Sequence, residues 1–206
     1  MSAAAPTPQP APESSEIGSR RARALIDALP AGCTSLHGIV DAARDDHLYD
    51  ALHAEPKDSQ VTCLYDGTPA IRYGRYAPHL MTIHKNSPLF DRWMDAGWNA
   101  HWGIFLAGNA TTEKLKRHLK RFLTGTGVAG QKIWLRFYDP QVLPGMLAGL
   151  DPGYLRDWFD SALIQACLAP CTEGIWRGMP QRNFLDRVTG SVAQLQIQVF
   201  KVEQPC

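Results

Sequence analysis

Apolar residues recur along this chain in short runs separated by Gly, Pro and Asp, and the spacing inside each run predicts an element. Residues 36–40, 61–65, 102–106 and 132–138 are short and rich in branched or aromatic side chains, as strands are. Residues 76–83 read as a strand broken around Pro78, and 162–168 as a further strand. Helix signals fall between these runs. Residues 20–29 form one, stopped by Pro30 and Gly32, and Asp45 caps a second through Leu48, Tyr49 and Leu52 that ends before Pro56. Ser87-Pro88 opens another, with Leu89, Phe90, Trp93 and Met94 on one face and Gly97 at its end. Thr111 or Thr112 caps the longest helix, whose Leu115, Leu119, Phe122 and Leu123 share one side while Lys114, Lys116, Arg117, Lys120 and Arg121 cover the rest. Asp139-Pro140 and Asp151-Pro152 each start one more, through Val142, Leu143 and Leu147 and through Leu155, Trp158 and Phe159.

Strands alternating with helices of this length predict a mixed α/β (α+β) domain, a central sheet covered by helices. Residues 1–17 are Ala, Pro, Ser and Thr with almost nothing to bury, and are expected to be a disordered tail. The α/β domain then spans 18–169. After Cys171 the character changes: Gly174, Gly178, Pro180 and Gly190 break the chain before an alternating segment, 192–202, that reads as a long strand. Residues 170–206 are expected to form a small C-terminal lobe, a candidate for partner binding.

Composition narrows the class. The 206 residues hold 21 Lys and Arg against 20 Asp and Glu, without the basic excess of a dedicated nucleic-acid binder. No run approaches the roughly 18 apolar residues of a membrane-spanning helix. The opening MSAAAPTPQPAPESSE lacks a basic-then-apolar export pattern, so a cytoplasmic protein is expected. The five cysteines, Cys33, Cys63, Cys167, Cys171 and Cys206, are odd in number and scattered, which reads as free or buried thiols.

Most motifs fail on context. Gly125 to Gly130 spell GxGxxG, but the dinucleotide fingerprint needs a strand before it and a helix after, and the order here is reversed. Gln131 stands where a phosphate-binding loop needs Lys. His53-Ala54-Glu55 with Pro170-Cys171 is half of a zinc-deaminase signature, yet Gly174 replaces the second cysteine. Cys167 and Cys171 are four apart, as on one helix face, and read as small buried hydrophobes. The seven histidines show no H-E-x-x-H spacing, and no G-x-S-x-G elbow exists. No catalytic, cofactor or metal residue is assigned.

Two stretches carry a resemblance. Gly97-Trp98-Asn99-Ala100-His101-Trp102-Gly103-Ile104-Phe105-Leu106 precedes the helix Leu115 to Leu123, and Arg136-Phe137-Tyr138-Asp139-Pro140-Gln141-Val142-Leu143 follows. With Leu36 to Ala42, Leu48-Tyr49, Pro78-His79-Leu80 and Ser87-Pro88-Leu89 upstream, they resemble the type VI secretion effector chaperone or adaptor family, the Tap or TEC proteins, over roughly residues 35–168. That resemblance implies a non-enzymatic role in the cytoplasm of a Gram-negative bacterium: binding a toxic effector and helping to load it onto the VgrG spike. Residues beyond about 170 carry no motif of the family.

The motif residues have physical roles of their own. Trp98, Trp102 and Phe105 are expected to fill the core, with Gly103 between them. Arg136 and Tyr138 are expected on one face of a strand and Phe137 on the other, with Asp139 capping the next helix and Pro140 in its first turn. Partner contacts are expected from the basic helix face, Lys116, Arg117, Lys120 and Arg121, or from the C-terminal strand through Gln196 and Gln198. The alternative is a small enzyme whose site assembles from His101, Asp139 and Arg136.

Overall fold

A computed structural model describes residues 15–160, 162–181 and 194–202. The expected tail through residue 14 and residues 182–193 and 203–206 of the C-terminal segment lie outside the described residues.

The strands are β1 (Ser35–Asp41), β2 (Thr62–Cys63), β3 (Pro78–Thr82), β4 (Gly103–Gly108), β5 (Thr124–Thr126), β6 (Lys132–Trp134), β7 (Ala166–Cys171), β8 (Gly174–Pro180) and β9 (Leu195–Lys201). Seven of them make one antiparallel sheet in the order β2-β3-β1-β4-β7-β8-β9, and β5 pairs with β6 in a second, two-stranded sheet. The helices are α1 (Glu16–Asp27), α2 (Leu48–His53), α3 (Gly67–Tyr73), α4 (Pro88–Arg92), α5 (Thr112–Leu119), α6 (Leu143–Gly149) and α7 (Pro152–Trp158). The architecture is mixed α/β.

Each face of the sheet carries its own core. Along β4, Ile104 and Leu106 enter the cluster beneath α5, α6 and α7, while Phe105 and Ala107 enter the one beneath α1, α2 and α4. The two-residue period of a strand thus divides one apolar run between two buried faces, so β4 shows no polar alternation. Trp98, Trp102 and Phe105 are buried in the second cluster.

Two of the helix signals act as read, whereas α2 is entered from His47 without a side-chain cap and Asp45 instead accepts from the His47 N–H. Ser87 accepts from the Phe90 N–H with Pro88 in the first turn, and Asp151 accepts from Gly153 and Tyr154. A wider π-helical turn, Trp93–Gly97, extends α4.

Several boundaries differ. Ser15 caps α1 by accepting from the Gly18 N–H, so α1 begins at Glu16 and takes the last residues assigned to the tail. At twelve residues it is longer than α5, which has eight before a 3-10 turn at Lys120–Phe122. Of 132–138, only Lys132–Trp134 is a strand, because Phe137 and Tyr138 are both buried in the same cluster and strand alternation would separate them. Asp139 accepts from the Gln141 N–H in a turn rather than capping a helix; α6 starts at Leu143. Cys167 and Cys171 sit on a strand, not a helix. The domain boundary drawn at 169/170 falls inside β7, and β8 and β9 continue the same sheet, so these residues join the main body.

Candidate partner-binding surfaces

The basic face expected on α5 is largely occupied by its own neighbours. Lys116 Nζ lies 3.0 Å from the Asp66 carboxylate and 3.3 Å from Thr62 Oγ1, and Lys120 bonds the same carboxylate. These hydrogen bonds, Lys120 first and Lys116 second, hold the Asp66 carboxyl below its usual range. Arg117 pairs with Glu113 one turn earlier at 2.9 Å. Arg121 donates to His118 Nδ1 at 2.9 Å while His118 Nε2–H donates to the Trp158 carbonyl at 2.9 Å. That arrangement requires the neutral ring, and burial lowers the His118 pKa accordingly. Arg121 therefore positions a core histidine.

The sequence motif Arg136 to Pro140 builds a charged lock between two parts of the chain. Arg136 Nη2 reaches Asp41 Oδ2 at 2.5 Å, at the end of β1, and Arg44 Nη2 reaches Asp139 Oδ2 at 2.5 Å. Arg44 also lies 3.4 Å from Asp41, whose side chain is only 2% exposed. Two buried carboxylates thus face two guanidinium groups, of which Arg136 is half exposed and Arg44 keeps its buried Nε without a hydrogen bond. Next to them, burial and then a hydrogen bond with Tyr65 push the Tyr138 phenol well above its usual value. Of the dispersed enzyme residues, Arg136 and Asp139 come within 4.0 Å, but both are engaged in this lock. His101 lines neither the cavity between α1 and β9 nor the one beside α2 and β2, and the same holds for Arg136 and Asp139.

The cavity beside α2 and β2, about 450 Å³, is lined by Tyr49, His53, Glu55, Cys63 and His79 among others. Cys63 and His79 face each other across the β2–β3 ladder. Burial raises the thiol pKa and lowers that of the imidazole, so both stay neutral, the opposite of an activated thiolate–imidazolium pair. No group of three or more His, Cys, Asp or Glu among the described residues is placed to hold a metal ion. GxGxxG forms the β5–β6 hairpin turn, where the Gly127 N–H donates to the Gln131 carbonyl and Gly130 takes φ +80°. The hairpin displays Trp134, 51% exposed, against Tyr65 at 5.0 Å between ring centroids.

The other end of the sheet is open. β9 pairs with β8 on one side and has no strand partner on the other among the described residues. Gln196 and Gln198 point to the α1 face: Gln198 accepts from Arg177, which also donates to the Ala28 carbonyl beyond α1 at 2.9 Å. Ile197 and Val199 point to the opposite face and are 50% and 45% exposed. Sequence periodicity identified the strand. The groove that α1 makes with the end of β9 had no sequence signal, since α1 lies more than 160 residues earlier. Glu16, Ser19, Arg20, Arg23, Ala24, Asp27, Phe200, Lys201 and Val202 line it.

No helix among the described residues is long and apolar enough to cross a membrane. A family model described as a domain of unknown function (DUF4123) matches residues 37–157, more than half of the chain. No curated protein and no solved structure matches it significantly.

Proposed function

We propose that this chain, which belongs to the DUF4123 family, is a non-enzymatic cytoplasmic adaptor that binds a type VI secretion effector and helps load it onto the VgrG spike. Both motif stretches behind the resemblance to effector chaperones, around Trp102-Gly103 and Arg136 to Pro140, fall inside the matched residues. The observation that carries the reading is the outer edge of β9, unpaired among the described residues, with Ile197 and Val199 exposed beside it. An open strand edge is a site where another chain adds main-chain hydrogen bonds, and folded proteins otherwise cover or charge such edges.

The reading also accounts for where the chemistry-bearing side chains went. Arg136, Asp139 and Lys116 are engaged with other parts of the fold, and burial shifts both Cys63 and His79 toward their neutral forms. Surfaces for protein partners remain at β9 and at the Trp134 hairpin, where exposed aromatic side chains make strong interface anchors.

The test is co-purification of the tagged protein from cells expressing the secretion genes, followed by effector export from a strain lacking it. The expected result is one stoichiometric toxin-like protein with the spike, and loss of that protein's export in the deletion strain. Unchanged export together with no co-purifying effector would overturn the reading.

A further inference from the structure

The stretch from Lys114 to Tyr138 holds seven Lys and Arg and no Asp or Glu, and the fold gathers part of it around one exposed aromatic ring. Trp134 lies at the base of the β5–β6 hairpin, opposite Thr124 and away from the turn at 127–131. There it is 51% exposed, with Tyr65 of the main body against it at 5.0 Å. Lys132, two residues earlier and so on the same face of the strand, lies 5.7 Å from the Trp134 ring. The residue after Tyr65 is Asp66, which holds Lys116 and Lys120.

Charge around this corner is unbalanced. Glu113 pairs with Arg117 and Asp41 with Arg136, and Arg121 turns to His118, on which Asp157 and Asp160 also act. Lys116 and Lys120 share the single carboxylate of Asp66, and Lys132 is exposed with no ion pair among the described residues. Beside Trp134 and Tyr65, three ammonium groups thus stand against one carboxylate. An exposed Trp and Tyr with a cationic rim suit an acidic chain that carries a large apolar side chain. The chain as a whole, with 21 Lys and Arg against 20 Asp and Glu, lacks the basic excess of a nucleic-acid binder. A bilayer would take an apolar tip, whereas Trp134 sits where the hairpin meets the body.

Resting on the adaptor reading, we propose that the client protein presents an acidic segment to this corner, its carboxylates meeting Lys132, Lys120 and Lys116 and an aromatic or large aliphatic side chain packing on Trp134. Ring packing supplies the anchor, and charge supplies selection and the rate of encounter. Tyr65, α5 and the hairpin all lie within the matched residues 37–157, so this surface belongs to the part of the chain that the family model describes.

The experiment uses the full chain and a fluorescein-labelled peptide, Ser-Asp-Glu-Phe-Glu-Asp-Leu-Glu-Ser, read by fluorescence anisotropy. Saturable binding is expected at about 50 mM salt, weakening at about 300 mM. Replacing Phe and Leu of the peptide by Ser, or its acidic residues by Lys, should each weaken it by about tenfold. On the protein, Trp134→Ser should do the same, as should Lys132→Glu with Lys120→Gln. Lys85→Glu, an exposed change in the loop after β3, should leave binding within about twofold. Circular dichroism and thermal melting establish that each variant is folded. Absence of saturable binding to the folded protein overturns the proposal, and so does equal weakening by Lys85→Glu and by the Lys132/Lys120 variant, which would mean bulk charge alone. Tighter binding of a labelled oligothymidine or of phosphatidylserine vesicles, lost in Trp134→Ser, overturns it too, since the corner would then serve nucleic acid or membrane. If the peptide fails while the tagged protein still retains an effector, only this surface falls; if no effector is retained and export is unchanged, the adaptor reading falls with it.

Discussion

Gly103 shows how a motif residue acts through the space it leaves. A Cβ there would stand 1.8 Å from the Ile39 carbonyl oxygen on the neighbouring strand, and one at Gly97 would stand 2.3 Å from the Trp102 ring. Gly103→Ala is expected to destabilise the protein by about 3 kcal/mol, because β1 and β4 have backbone, not a flexible side chain, at the clash. Urea denaturation measures it, and a loss below about 0.5 kcal/mol would show that the strands separate without cost. The buried histidines predict a pH dependence. Burial lowers the pKa of His37, His79 and His118 below the usual value near 6.5. Between the folded and unfolded values the unfolded chain binds more protons, so their contribution is fully present above about pH 6.5 and is lost as pH falls below it. The melting temperature at pH 5.5 is expected to lie below that at pH 7.5, and His118→Gln, which keeps a donor for the Trp158 carbonyl, is expected to shallow the difference. Equal melting temperatures would refute the assignment. Asp66 acts in a separate, more acidic window, because its lowered pKa takes its contribution away only below the ordinary carboxylate range.

At the scale of elements, the stretch from Leu135 to Val142 is held by charge as well as by packing. Phe137 packs edge-on against Trp158 at 5.1 Å, and the Arg136–Asp41 and Arg44–Asp139 bonds tie the segment to β1 and the turn after it. Arg44→Ala would leave the Asp139 carboxylate, 8% exposed, with Arg136 at 4.0 Å as its nearest cation. The expected cost is about 3 kcal/mol, seen as a lower urea midpoint at unchanged slope. A midpoint equal to that of the wild type would mean that packing alone seats the segment. The same reasoning explains why strand-forming residues here make a turn. Phe137 and Tyr138 gain more by entering one core together than by alternating across a strand, a tertiary override of local preference. On α5 the apolar stripe of Leu115 and Leu119 is buried as its spacing predicts, while the opposite basic face bonds Asp66 and Glu113.

For the whole molecule, the matched residues 37–157 run from β1 to α7, and the sheet continues beyond them through β7, β8 and β9. The seven-stranded sheet therefore has one end built by the family's domain and another that it does not include. The period of the apolar runs, the Ser and Asp caps and the Gly and Pro stops were enough to place most elements and the mixed α/β class. They also separated the GxGxxG turn from a nucleotide site, because order along the chain is itself a sequence property. They left open the strand order, the joining of β8 and β9 to the main sheet, and the partners of the charged residues. Asp66 and Lys120 are 54 residues apart, Asp41 and Arg136 are 95 apart, and the groove joins α1 to the last strand. Local periodicity reports which face of an element is apolar, since that depends on neighbours within a turn or two. Which groups meet, and which edge remains open, depends on how distant elements close around two shared cores, and only the tertiary structure decides that.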